Sequence, residues 1–314
     1  MSKDHPDISI VVPAKDEERS IVPLFNELGR VLKSVNKTHE IIFVDDGSTD
    51  KTLEAMKDLR KKDKRVKIIS LRGCFGKSIA LQSGFDHAEG DIVITMDADL
   101  QDDPREIPRF LTEINRGYDL VSGWKKLRHD PLNKKLPSKI GNWLARFLTG
   151  VKIHDLNSGF KAYRREVVKN LNLYGELYKF IPVIAQNQNY KVGEIVVAHR
   201  RRKYGKSKYG WQRNIKGILD LFTVAFLSGY LRRPGHFFGT IGLGSFSIGF
   251  AIGLYITYLR LTTGSIQFRQ PLLFLGVLLM VVGVQLVTTG LLAELFVNLS
   301  SKDDTGEKIK QTYL

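Results

Sequence analysis

Cysteine is almost missing from this chain. Cys74 is its single thiol, so no internal disulfide can form and no cysteine-based zinc framework is available. A reducing compartment fits that composition. No N-terminal leader is expected either: Met1 to Asp7 is polar, and the apolar run behind it, Ile8 to Val12, is too short. Acid is scarce relative to base. Forty-eight Lys and Arg against 33 Asp and Glu leave a formal net charge of +15. Two stretches carry much of the excess: Lys125 to Arg146 has one acid, Asp130, and Arg200 to Lys216 has none. Nucleic acid, an anionic membrane surface or phosphorylated substrates would each answer such charge. No nucleic-acid module is recognisable and the basic stretches lie near an apolar region, so nucleic acid is set aside as a partner.

Charge of either sign is absent from two windows, Phe237 to Leu259 and Pro271 to Ala293. A helix crosses a bilayer with about 20 apolar residues, so both windows qualify as spans. Glycines such as Gly242 and Gly249 lower the hydropathy of the first and allow close helix packing. Basic residues outside the hairpin (Arg232, Arg233, Lys302, Lys308, Lys310) outnumber the two in its connecting loop, which predicts both ends in the cytoplasm. The reading is a cytoplasmic catalytic domain over 1–213, a juxtamembrane or interfacial helix over 214–234, a two-span hairpin over 235–299 and a cytoplasmic tail over 300–314. Ile218 to Leu231, apolar apart from Asp220, is the segment expected to lie in the interface.

The first half of the chain alternates short β-branched runs with helical periodicity. Ile8–Val12, Glu40–Val44, Val66–Ser70 and Ile92–Met96 read as strands, and Leu120–Gly123 as another. Between them, helices are expected from Ile21 to Val35, from about Asp50 to Lys61 and from Lys77 to Ala88, with a further amphipathic helix after Ser138. Such alternation predicts an α/β fold with a mostly parallel sheet flanked by helices. Ligands of such sheets bind beyond the carboxyl ends of the strands. Three polar clusters fall there: Pro13-Ala14-Lys15-Asp16-Glu17-Glu18, Asp45-Asp46-Gly47-Ser48, and Asp97-Ala98-Asp99-Leu100-Gln101.

Each cluster has a chemistry. Two aspartates one residue apart, just past a strand, can bend toward one hard cation such as Mg²⁺ or Mn²⁺ and leave room for substrate phosphates. Asp45 at a strand end can accept from a base or ribose hydroxyl, while Ser48 and Asp50 are equally suited to capping the next helix. Gly73-Cys74-Phe75-Gly76-Lys77-Ser78 lacks the spacing of a nucleoside-triphosphate loop, although Lys77 could still touch a phosphate at a helix N-terminus.

Together, Ser9–Pro13 with Asp16-Glu17-Glu18, Val44–Ser48, Met96–Pro104, Asp155–Tyr163 and Arg200–Tyr209 resemble the family-2 glycosyltransferases. The resemblance is to their polyprenyl-phosphate branch. It implies a GT-A fold and an inverting transfer from a nucleotide sugar of the UDP-glucose or GDP-mannose type to a polyprenyl phosphate such as undecaprenyl or dolichyl phosphate. By position, Pro13, Ala14, Glu17, Asp45, Asp97, Ala98, Lys206 and Ser207 would bind the nucleotide. Asp97, Asp99 and Gln101 would hold Mg²⁺ or Mn²⁺; Asp97, Asp99, Asp155, Arg200 and Arg202 would carry catalysis, with Arg200, Arg202, Lys206 and Ser207 meeting phosphates and Asp155 near the acceptor. Lys15-Asp16 and Cys74 depart from the residues common in the family. Expected partners are the nucleotide sugar, the polyprenyl phosphate and membrane lipid, with a homo-oligomer left open. The alternatives weighed are transfer to another lipid or polysaccharide acceptor, and a membrane scaffold that keeps the fold. The processive synthases' Gln-x-x-Arg-Trp motif is missing, and Asp97, Asp99 and Gln101 are intact.

Overall fold

The computed structural model describes residues 5–126, 151–200, 234–266 and 268–300. The chain divides into two compact units, Met1–Val224 and Ala225–Leu314.

Strands β1 (Ile8–Ala14), β2 (His39–Asp45), β3 (Val66–Ser70) and β4 (Ile92–Thr95) pair in parallel. Ile10, Val11, Val12, Ile42, Phe43, Val44, Val93 and Ile94 are completely buried. Near-continuous apolar strands are what a sheet covered on both faces requires. Helices α1 (Glu18–Val35), α2 (Thr52–Lys62), α3 (Lys77–Asp86) and α4 (Ile107–Asn115) form the crossovers and their flanks. On α1, Ile21, Leu24, Leu28 and Leu32 are buried, and Phe25, Val31 and Val35 pack on the same core, as the periodicity predicts. The third helix ends at Asp86, two residues before the expected Ala88, and β4 ends at Thr95, one before the expected Met96.

The rest of the sheet is β5 (Leu120–Trp124), β6 (Lys161–Arg164) and β7 (Val192–Val196), giving the order β3-β2-β1-β4-β6-β5-β7. The sixth strand lies antiparallel between β4 and β5, and the seventh runs parallel to β5. The sheet is thus mostly parallel with one inserted reversed strand. Two short helices, α5 (Arg165–Lys169) and α6 (Ile181–Asn187), also lie among the described residues of this unit. The helix expected after Ser138 and the interfacial segment from Ile218 to Leu231 lie outside the described residues.

The amino ends of the strands are tied by polar contacts that leave the opposite edge free for chemistry. Ser9 donates to Glu40 Oε1 (2.5 Å) and accepts from the Gly90 amide (2.8 Å), while Lys67 Nζ lies 2.7 Å from Glu40 Oε2. Buried polar atoms are tolerated when they are paired like this.

The second unit is an antiparallel pair, α7 (Pro234–Thr263) and α8 (Gln270–Ser300). Both are long and apolar enough to span a bilayer: mean hydropathy is 1.7 over Gly235–Thr263 and 2.4 over Gln270–Leu295. Their outward side chains, among them Leu243, Leu254, Leu278 and Leu291, are more than half exposed. Glycines bring the two backbones together. A Cβ on Gly242 would lie 2.7 Å from the Gly283 carbonyl oxygen, and one on Gly249 would lie 2.5 Å from that of Gly276. Gly290 faces Gly235, so the contacts recur every seventh residue on both helices. At one end, Glu294 Oε2 accepts from the Gly235 amide (3.1 Å), satisfying a donor at the start of α7.

Candidate active site

Beyond the carboxyl ends of β1 and β2, two loops are stitched together. Ala14 stands in register with Asp45, and its carbonyl accepts from the Asp46 amide (2.9 Å). The Asp16 amide donates to Ser48 Oγ (2.9 Å), the Thr49 amide to Asp16 Oδ1 (2.7 Å), and the Glu17 amide to Thr52 Oγ1 (2.7 Å). Asp16 takes a φ of +48° to make these bonds, a region in which Asp is one of the few tolerated side chains. Ser48 therefore clamps the first loop instead of capping α2, while Asp50 Oδ1 takes the Thr52 amide at 2.9 Å. Pro13, Ala14, Glu17 and Asp45 converge along this edge. Asp45 is buried and accepts from the Ser48 amide (3.1 Å) and the Ser70 hydroxyl (3.3 Å).

Asp46, given little weight from sequence, shapes the facing loop. Its carboxylate accepts from the amides of Phe75 (2.7 Å) and Gly76 (3.0 Å to Oδ2). Gly47, at φ +65°, fits beneath that loop because a Cβ there would lie 2.5 Å from the carbonyl carbon of Gly73. The loop delivers Lys77 as the first residue of α3.

The third cluster follows β4. Lys77 Nζ donates to Asp97 Oδ1 and lies 5.2 Å from the centre of the Tyr178 ring. Gly159 presses on the same carboxylate: an added Cβ would stand 2.6 Å from Asp97 Oδ2 and 2.7 Å from Oδ1. The Asp97 amide donates to Asp102 Oδ2 (3.1 Å), and Lys125 Nζ lies 2.7 Å from Asp102 Oδ1. Ala98 and Leu100 point into the core, and Leu100 adopts φ +63° to turn Asp99 and Gln101 outward. Asp99 Oδ1 accepts from the Gln101 amide (3.1 Å). The Gln101 side-chain nitrogen meets the His199 ring at 3.3 Å and the Arg200 carbonyl at 3.4 Å.

A buried charge cluster sits behind these residues. Burial pushes the Asp97 carboxyl up, but the ammonium charges of Lys77 and Lys125 outweigh it and hold the pKa at about 2. For Lys125, burial opposes the charge, yet Asp102 and Asp97 keep its pKa above the ordinary lysine value. Lys161 is 2% exposed and donates to the Ser158 carbonyl. Burial and then the charge of Lys77 bring it down to about 7, against the opposing pull of Asp155 and Asp97. Lys125 and Lys161 were not singled out from sequence, because lysine ordinarily reads as surface. The only signal was that Lys161 stands in the segment Asp155 to Tyr163 that carries the resemblance.

Asp155, also buried, arrives on the loop before β6. Glu194 of β7 holds that loop: its carboxylate accepts from the amides of His154 (3.0 Å) and Asp155 (3.0 Å) and meets His154 Nδ1 at 2.8 Å. His154 in turn stacks on Trp124, ring centres 4.1 Å apart. Arg200 is committed to two carboxylates, Glu27 Oε2 and Asp103 Oδ1, each at 2.6 Å. Arg202, Lys206 and Ser207 lie outside the described residues.

The donor set suits a divalent cation. Asp97 and Asp99 offer hard carboxylate oxygens, the amide oxygen of Gln101 is a third, and the lysine ammonium already on Asp97 shows that this carboxylate faces a cation. Among the described residues, no three His, Cys, Asp or Glu side chains gather into a ready cage. Mg²⁺-type sites in general use one or two carboxylates and complete their shell with water and substrate phosphates.

The family described as glycosyl transferase family 2 matches residues 9–171, which runs from the second residue of β1 through β6 and takes in all three clusters. The chain belongs to that family. The dodecaprenyl-phosphate galacturonate synthase of Rhizobium johnstonii is 40% identical over 303 residues, covering 95% of this chain and 90% of that protein. The undecaprenyl-phosphate 4-deoxy-4-formamido-L-arabinose transferase of Pseudomonas paraeruginosa is 35% identical over 289 residues, 91% of this chain and 84% of its own. Among solved structures, glucosyl-3-phosphoglycerate synthase from Mycobacterium tuberculosis, crystallised with Mn²⁺, uridine diphosphate and phosphoglyceric acid, superposes with a TM-score of 0.54. It is 20% identical and covers 70% of this chain and 78% of that one, a likeness of fold. This glycosyltransferase therefore has the GT-A architecture followed by two apolar helices.

Proposed function

We propose that this glycosyltransferase moves a sugar, with inversion, from a nucleotide sugar to a polyprenyl phosphate at the cytoplasmic face of a membrane. The observation that carries the reading is a pair of carboxylates, Asp97 and Asp99, set beside the Asp45 edge in a chain that also contains two membrane-length helices. Both relatives named above act, by their names, on polyprenyl phosphates, and their matches cover 95% and 91% of this chain.

Pro13, Ala14, Glu17 and Asp45 bind the nucleoside, with Asp45 accepting from a base or ribose group. Asp97, Asp99 and Gln101 hold Mg²⁺ or Mn²⁺, which when bound offsets the charge of the leaving diphosphate. A phosphate monoester has a second pKa near 6, so the acceptor is already largely dianionic at neutral pH and needs no strong base. Asp155 then orients the acceptor or a neighbouring cation such as Lys161. Arg200 fixes the 101–103 loop through Asp103 and through its amide, which donates to the Gln101 carbonyl (2.9 Å). Arg202, Lys206 and Ser207 gather the phosphates.

The test is direct. Purified protein is incubated with undecaprenyl phosphate, Mg²⁺ or Mn²⁺, and labelled UDP-galacturonate, UDP-glucose or GDP-mannose in turn. Label entering the organic phase with one donor is the expected result. Absence of labelled lipid with every donor, including a formamido-arabinose nucleotide, overturns the proposal.

A further inference from the structure

Asp97 already has a cation. Lys77 donates to its Oδ1, and the pair is sheltered: the Lys77 side chain is 18% exposed and that of Asp97 is 30% exposed. Neither partner reaches the other by chance of rotamer. Lys77 leaves the N-terminus of α3 directly after Gly76, whose φ is +93° and whose amide is anchored on Asp46. Asp97 is backed by Gly159, which approaches both carboxylate oxygens too closely for a side chain to intervene. Asp97 is therefore held between a glycine backbone on one side and an ammonium on the other.

An ammonium and a divalent ion drawn to the same carboxylate repel each other, so each weakens the hold of the other on Asp97. In that same position the Lys77 nitrogen lies 5.2 Å from the centre of the Tyr178 ring, a second contact that holds the ammonium beside Asp97. The positive surroundings add to the competition: the charges of Lys125 and Lys161 also act on Asp97.

We propose that Lys77 is an internal competitor for the metal carboxylate, which keeps divalent-ion affinity low until a nucleoside diphosphate supplies the lysine with a replacement anion. The inference rests on the metal assignment proposed above. It makes metal and nucleotide binding mutually reinforcing, and linkage requires the reinforcement to be equal in both directions.

The test uses the full-length protein in detergent and Mn²⁺ as the probe, with bound ion read by electron paramagnetic resonance and no turnover involved. Lys77→Met is expected to tighten Mn²⁺ binding at least tenfold without nucleotide. It should also reduce the factor by which uridine diphosphate improves Mn²⁺ affinity. Lys77→Arg, which keeps the charge, should bind Mn²⁺ within about threefold of the unaltered protein. A Lys77→Met protein with an unchanged melting midpoint and equal or weaker Mn²⁺ affinity overturns the competitor role. If Lys77→Met melts early, Lys77→Gln carries the same comparison. Asp99→Asn separates the two readings: Mn²⁺ binding that survives it overturns the metal assignment itself. Binding that is lost with Asp99→Asn and indifferent to Lys77 overturns only the competition.

Discussion

Arg200 Nη2 lies 2.6 Å from Asp103 Oδ1 while Nη1 lies 2.6 Å from Glu27 Oε2, so one guanidinium joins the loop after β4 to helix α1. Asp103 is also forked by Arg105, whose Nε and Nη2 both reach it. Burial would raise the Asp103 carboxyl, but the Arg105 and Arg200 contacts outweigh it and hold the pKa at about 2. In the unfolded chain the group titrates near 3.9. The unfolded state therefore takes up the proton first as pH falls. The resulting stability is complete above about pH 4 and is lost as the pH drops toward 2, by about 2 kcal/mol. Asp103→Asn should flatten this part of the acid-unfolding profile, followed as tryptophan fluorescence against pH.

Gly159→Ala should disable the proposed site without unfolding the sheet. The added methyl would stand within 2.8 Å of the Asp97 carboxyl atoms, and the adjoining Phe160 is fully buried, so the backbone has little room to retreat. We expect kcat to fall at least a hundredfold with an unchanged circular dichroism spectrum. Retention of a tenth of the activity would show that Asp97 can shift without consequence.

Glu194→Ala should leave the amides of His154 and Asp155 without their carboxylate. An abandoned buried donor costs about 1–3 kcal/mol. The loop carrying Asp155 should loosen, and kcat should fall about tenfold while KM for the donor changes little. Steady-state kinetics against each substrate checks this, and a donor KM effect alone would move Glu194 out of the acceptor side of the site.

In the helix pair, Gly242→Leu should lower the melting midpoint in detergent, because the side chain would collide with the Gly283 backbone. The matched control is Gly244→Leu, two residues along the same helix, where nothing lies within 4 Å of the added Cβ. Equal effects from the two would show that the glycine contacts do not hold the pair together.

Much of this arrangement is legible in the sequence, for identifiable reasons. Strands β1 to β5 are short apolar runs, and the acids that follow β1, β2 and β4 sit where a parallel sheet places ligands. Both long apolar helices declare themselves by length and absence of charge. Strand β6 does not: it has four residues, begins with Lys161, far along the sequence from Trp124, and inserts antiparallel between β4 and β5. No local pattern encodes such a pairing. The same holds for Asp102, which looks like part of an acidic turn before Pro104 but is buried against Lys125. Asp103 beside it caps the turn at Pro104 by accepting from the Arg105 amide. Charges that neutralise each other inside a fold are invisible to composition, because neither partner announces the other.

The glycine contacts in the helix pair run from Gly235 to Gly249 on one helix and from Gly276 to Gly290 on the other. At 1.5 Å per residue that is about 21 Å of close backbone approach, most of the roughly 30 Å thickness of a hydrocarbon core. Interlocked over that depth, the helices cannot slide past each other by one residue without driving side chains into carbonyls. In the membrane setting proposed above, a thinner or thicker bilayer would be met by leaning the pair as one rod, and the helix pair would act as a ruler of fixed length.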